Sequence, residues 1–169
     1  ALANIEQSSR LAVDDLSRLL GFLRRSDDEA AEPRVDVGPQ PTVRDVVALV
    51  EASRASGLPV SASIDPLDDV PPGVGLAAYR IVQEALTNVR KHAPACRSVT
   101  VDLRVSPTRL DVVVCNDGVT QAGGPANGRR LGLVGMHERA ALHGGRMEVG
   151  PIGDGSFEVH AELPLRGAS

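Results

Sequence analysis

Aromatic side chains are nearly missing from this 169-residue chain, which has no Trp, one Tyr and two Phe, 2% in all. Hydrophobic residues still make up 42%, enough for a sizeable core, so that core must be built from Val, Leu, Ile and Ala. Cysteine is scarce as well. Cys96 and Cys115 show neither a CxxC nor any metal-type spacing, which argues against a disulfide framework and reads as two reduced thiols beside strands. No apolar run approaches the roughly 18 to 20 residues that span a bilayer, and no signal peptide is visible. The 18 Lys and Arg form no long run, and with 22 Asp and Glu the net charge is -4, the pI near 5.5. That balance speaks against a nucleic-acid partner.

What is present suits one domain of ordinary size with an appendage. Ile5, Ser9, Ala12, Leu16, Leu19, Leu20 and Leu23 recur at i, i+3, i+4 spacing, so residues 2–25 read as an amphipathic helix that needs partner helices. The stretch to residue 41 is charged, then rich in Pro and Gly, as a linker is. Thr42 is placed to cap a helix closing near Gly57, with Val43, Val46, Val47 and Val50 on one side. "LPVSASID" suggests a strand, and Pro71 and Pro72 suit the start of a helix over 72–93. Strands follow at 98–105 and 109–117, joined by "SPT". A glycine-rich segment, 118–132, has no periodicity. Next comes the helix "LVGMHERAALHGG", ended by Gly144 and Gly145, and the hairpin "RMEVG" with "GSFEVHAELPL". Helices grouped on one face of a mainly antiparallel sheet give an α+β, two-layer α/β sandwich.

Three stretches carry candidate chemistry. In "RIVQEALTNVRKHA" the apolar Ile81, Val82, Ala85, Leu86 and Val89 share one helix face, and Glu84, Asn88, Lys91 and His92 border it within an arc of about 100°. Taken alone they fit a solvated edge; a carboxylate, an amide and two nitrogen donors also fit Mg²⁺ and phosphates. In "VVVCNDG" an apolar strand ends on Asn116, Asp117 and Gly118. Such residues suit a turn, or the reading of a purine's amino edge with close approach over the glycine. In "GRRLGLVGMHER", Gly128, Gly132 and Gly135 run into a helix, as a flexible connection or a phosphate-binding loop would. His137, His143 and His160 have no partner spacing and read as surface or packing residues.

The order of these motifs is more telling than any one of them. "QEALTNVRKHA", "NDG", a glycine-rich segment and "GLVGMHERAALHGG" together resemble the ATP-binding domain of two-component sensor histidine kinases, in the subfamily signalling to NarL-type response regulators. Its wider group is the gyrase, Hsp90, histidine kinase and MutL ATPases, which share the Bergerat fold. The resemblance covers residues 42–165 and implies a catalytic domain at 42–166, behind a linker at 28–41. Residues 1–27 are similar to the second helix of the family's dimerisation and phosphoacceptor bundle.

Roles are implied position by position. Asn88 matches the asparagine holding Mg²⁺ against the ATP phosphates, and Glu84 the acid one turn earlier, acting on the attacking group or through magnesium-bound water. Lys91 and His92 match basic residues beside the phosphates. Asn116 and Gly118 occupy the adenine-recognition motif, with Asp117 as the alternative reader should the register shift. Gly132 and Gly135, with Leu133 and Met136, match the motif carrying a lid over the phosphates, and Ser156 a small hydroxyl residue near the nucleotide. Three features depart from the family. Asn116 stands where Asp is usual, with Thr120 for a second Gly. Arg130 replaces a lid glycine. None of the four histidines fits the phosphoacceptor place on the first bundle helix. The chain, which opens "ALANIEQ" without Met, is therefore expected to be the C-terminal, cytoplasmic piece of a larger and membrane-anchored homodimeric kinase. A degenerate nucleotide-binding or interaction module without transfer activity is the alternative.

Overall fold

A computed structural model describes residues 40–118, 127–153 and 155–165, with the backbone alone at 127–131. The helix expected at 2–25, all but the end of the linker, and Thr120 lie outside the described residues. Three helices are seen, α1 (Asp45–Ala55), α2 (Pro72–His92) and α3 (Asn127–Leu142). The strands are β1 (Val60–Ile64), β2 (Val99–Val105), β3 (Arg109–Asn116), β4 (Arg146–Pro151) and β5 (Phe157–Pro164). They form one mixed sheet in the order β1-β2-β3-β5-β4, with β1 parallel to β2 and every other pair antiparallel. This is the α+β architecture expected from the sequence.

Alternation builds the sheet. On β2 Val99, Val101 and Leu103 are buried, and on β3 Leu110, Val112 and Val114. The register sets Val101 opposite Val114, Leu103 opposite Val112 and Leu110 opposite Leu163, so one face becomes continuous hydrocarbon. Against it lies α2, whose Ile81 and Val82 are fully buried. Pro72 opens α2 at a position needing no intrahelical N–H, and Arg90, Lys91 and His92 end it where cations suit the helix dipole. Among the described residues the largest fully buried side chains, Ile81, Leu103, Leu110, Met136 and Leu163, include no aromatic. Cys96 and Cys115 are unpaired and half-buried, and burial first, then nearby carboxylates, pushes both thiols up.

Two helix starts differ from expectation. Thr42 precedes α1 by a turn, and the roles are reversed: its N–H and hydroxyl both donate to Asp45 Oδ2, at 2.6 and 2.8 Å. The carboxylate at the helix start caps the residue three positions before it. α3 begins at Asn127, six residues before the expected Leu133. Gly132, read as loop, lies inside that helix, where a Cβ would come 2.2 Å from Glu84 Oε1. Its missing side chain leaves room for the Glu84 carboxylate, at a helix propensity about 1 kcal/mol below that of Ala.

The opposite sheet face is polar and half-exposed. Arg104, Asp111, Glu162 and Arg146 stand in one cross-strand row. The like-charged Asp111 and Glu162 are bridged by Arg109, whose Nε donates to Asp111 Oδ2 at 2.9 Å and Nη1 to Glu162 Oε2 at 3.3 Å. Arg146 donates to Glu162 Oε1 at 2.8 Å. This bond and, after it, the charge of Arg109 hold the Glu162 carboxyl below its usual range. A depressed folded pKa gives stability that is present above the unfolded value, about 4.3, and lost as pH falls through the folded one. Arg146→Ala is therefore expected to lower the thermal midpoint at pH 7 and leave it nearly unchanged below about pH 3. Equal shifts at both pH values would assign Arg146 a role other than charge.

Candidate functional site

At the end of the sheet where β3 and α2 both finish, a cavity opens between α2, β3, β5 and α3. Asn88 and His92 reach it from α2, Val114 and Asn116 from β3, Phe157 and Val159 from β5, and Leu133 from α3. Its volume is about 20 Å³, room for roughly one water molecule.

Two asparagines are its polar groups of note. Asn88 borders the apolar face of α2, and its Nδ2 is fully buried with no protein hydrogen-bond partner. Such a group costs about 1–3 kcal/mol, and a half-turn of the amide would set its oxygen there instead. Asn116 is 6% exposed, the one buried polar side chain among the described residues. Its Nδ2 donates to the Asp117 carbonyl at 2.7 Å, which leaves a second N–H and the amide oxygen for other partners.

Asp117 faces elsewhere. Its Oδ1 accepts the N–H groups of Arg97 at 2.7 Å and Ser98 at 3.0 Å. Those two bonds, Ser98's first, hold its carboxyl below the usual range. Of the two alternatives at the end of β3, only Asn116 lines the cavity. Gly118 has φ +77, and a Cβ on it would lie 2.9 Å from Cys96 Cα. Its close approach is thus to the loop before β2.

The other expected site residues spread around this centre. Glu84 is half-buried one turn before Asn88, with Gly132 against its carboxylate. Leu133 lines the cavity; Lys91, next to the lining His92, is exposed and does not. The Gly135 Cα faces Arg139 of its own helix. Met136 is fully buried in the core. Ser156 sits in the β4–β5 turn, its N–H donating to the Gly153 carbonyl at 2.9 Å. Sequence reading missed the apolar wall, above all Phe157, the register partner of Asn116. Its cue was rarity: it is one of three aromatics in the chain.

Residues 73–167 match the histidine kinase-, DNA gyrase B- and HSP90-like ATPase family. The chain belongs to this ATPase family. The sensor histidine kinase YxjM of Bacillus subtilis is 34% identical over 117 residues, covering 68% of this chain and 28% of that protein. LnrJ, another sensor histidine kinase of B. subtilis, is 36% identical over 86 residues, 51% of this chain and 20% of that one. The chain thus spans about a quarter of the length of these curated relatives. Among solved structures, the histidine kinase domain of the Erythrobacter litoralis EL346 blue-light activated histidine kinase superposes with a TM-score of 0.55 at 23% identity. It covers 72% of this chain and 58% of that one. The catalytic domain of histidine kinase ThkA gives 0.56 at 15%, over 75% of this chain and 92% of that one. These two likenesses concern the fold, which is that of histidine kinase catalytic domains. An ATPase-family domain takes ATP, and the cavity of this one lies where α2, β3 and α3 meet. No helix among its described residues is long and apolar enough to cross a membrane.

Proposed function

We propose that this chain is the ATP–Mg²⁺-binding catalytic domain of a sensor histidine kinase. The carrying observation is the buried Nδ2 of Asn88, which has no protein partner, beside the buried Asn116. The parent protein, a membrane-anchored homodimer, then phosphorylates a histidine on its upstream bundle helix and passes the group to an aspartate of a NarL-type response regulator.

The residues present fit a hard cation. The Asn88 amide oxygen, which a half-turn of the amide brings to the buried position, and a carboxylate one turn earlier are the sparse donor set that Mg²⁺ takes from protein, sharing its other positions with phosphate and water. When bound, the ion neutralises charge on the phosphates. Asn88 orients that end of the nucleotide. Glu84, its carboxylate beside Gly132, acts on the attacking group. His92 offers a ring nitrogen, and Lys91 beyond it a positive charge, at the phosphate end. Asn116 accepts from the adenine amino group through its amide oxygen, a weaker contact than a carboxylate would make. Phe157, Val114 and Val159 give the ring an apolar seat. Phosphoryl transfer asks of the protein mainly such positioning.

Calorimetric titration with ATP and Mg²⁺ is the test, and no heat at millimolar ATP would overturn the reading. Phe157→Ala is expected to weaken binding by on the order of tenfold, the effect of one lost stacking contact. An unchanged affinity would remove Phe157 from the base site. Ligand pockets usually measure about 300–1,000 Å³, so the cavity must open to take a nucleotide, and the wall expected to respond is the one that α3 supplies through Leu133. Amide exchange at residues 132–136 is expected to change on adding ATP–Mg²⁺; an unaltered pattern there would locate the nucleotide elsewhere.

The small cavity and Asn116 in place of an acid favour one second reading, a nucleotide-binding module without transfer. Adding back the upstream helix and assaying acid-labile phosphate separates the two. Binding without phosphate would support the module.

A further inference from the structure

On the polar face of the sheet, away from the nucleotide cavity, three side chains with metal-binding atoms stand close together. Asp111 of β3 and His160 and Glu162 of β5 offer atoms lying within 4.8 Å of one another. Asp111 Oδ2 is held by Arg109, while Asp111 Oδ1 is fully buried and accepts no hydrogen bond. His160 Nε2 stands 3.6 Å from that orphan oxygen. The gap is too long for a hydrogen bond. Two atoms bound tetrahedrally to one Zn²⁺, each at about 2.0–2.1 Å, lie roughly 3.3 Å apart. Asp111 and His160 thus need only a small adjustment to share an ion, while the Glu162 side chain, within 4.8 Å of them, must close in further.

The surroundings favour a cation. Glu162 is oriented by Arg146 and Arg109, and each carboxylate oxygen keeps a further lone pair. Glu148 is the cross-strand partner of His160, and Glu158 lies two residues before it on the same face. Arg104 faces Asp111 in register, but its guanidinium donates to Asp65 and Asp102. The four carboxylates Asp111, Glu148, Glu158 and Glu162 therefore outnumber Arg109 and Arg146 by two negative charges. Arg–carboxylate bonds that fix the ligands from behind are the usual outer support of a metal site.

We propose that Asp111, His160 and Glu162 form a three-ligand site for a divalent transition-metal ion of the zinc class, with a fourth position open to water. Imidazole with carboxylates suits Zn²⁺, whereas Mg²⁺ prefers oxygen alone, so this site and the nucleotide's Mg²⁺ do not compete. A bound ion would cross-link β3 and β5, the central strands, and stabilise the fold by mass action.

Zn²⁺ titration of the 169-residue chain by calorimetry and thermal shift, with millimolar Mg²⁺ present, tests the site. The expected result is a single saturable, micromolar-range event with a raised thermal midpoint. His160→Ala should weaken it by at least about tenfold, and a Cys96→Ser, Cys115→Ser double variant should retain it. Should His160→Ala not fold, His160→Gln serves, its metal-free thermal midpoint reporting the fold. Co²⁺ in place of Zn²⁺ should give visible absorption bands that the His160 variant loses. Binding that survives the His160 change, disappears with the cysteines, or does not saturate below millimolar Zn²⁺ overturns the proposal. ATP–Mg²⁺ affinity should be the same with and without His160, which keeps this outcome separate from that of the nucleotide site.

Discussion

Asn88→Leu is expected to make the domain more stable and to slow its phosphoryl transfer by about two to three orders of magnitude. The Asn88 Nδ2 is buried without a partner, so a leucine of similar bulk removes an unmet polar group, a gain of about 1–3 kcal/mol. No protein hydrogen bond from that atom is given up. The same change deletes the amide proposed to act on the metal and phosphates, where removal of one preorganised donor costs on the order of 10²–10³ in rate. Asn88→Asp should lower transfer as severely by adding charge in a desolvated place, without the stability gain. Chemical denaturation reads the first effect, and phosphorylation of the reconstituted upstream helix the second. A functional site that conflicts with stability is the pattern at issue. A destabilised Asn88→Leu variant would mean that the amide has a structural partner, and retained transfer would remove Asn88 from the reaction.

Gly145→Ala should cost the most in folding. A Cβ there would meet the Glu162 carbonyl oxygen at 2.4 Å and the Ala140 carbonyl oxygen at 3.0 Å. Both are backbone atoms and cannot swing aside. Relief requires moving the end of α3 away from β5, at about 3 kcal/mol, and the thermal midpoint should fall by roughly 6–12 °C. The neighbouring Gly144 provides the control. It has φ +68 with nothing within 4 Å of a built Cβ, so alanine there meets only the left-handed backbone penalty of about 1–2 kcal/mol. Midpoints measured side by side should show the larger drop at residue 145. The reverse order would place the strain in the backbone angle and not in the contact.

These two glycines were legible in the sequence only as a helix stop. That was correct, since α3 ends at Leu142, but which of them is irreplaceable depends on where β5 passes, and β5 is distant in the chain. The same limit explains Gly132. Glycine and the lack of periodicity argued for a loop there, whereas its role lies in the contact with Glu84 on another helix. Helix α2 was readable almost to the residue, because proline and apolar spacing are local properties. Strands β2, β3 and β5 were readable because each buries one face. Asn116 and Asp117 could not be told apart from spacing alone; a loop 20 residues earlier draws Asp117 away. Phe157 escaped notice because a strand residue becomes part of a wall only when its cross-strand neighbour is known. The bundle helix, the linker and the residues around Thr120 lie outside the described residues and add nothing to this comparison.

The parallel pairing of β1 with β2 has a kinetic consequence. β2–β3 and β4–β5 close across short turns, but Val60 meets Val99 only after 38 intervening residues, α2 among them, have been folded back. Loop-closure entropy delays such a contact. β1 is also the sheet's edge, and Ser61, Ala62 and Ser63 are exposed. It should join last on refolding and be first to exchange its amide protons, an opening of the edge while the central strands stay closed.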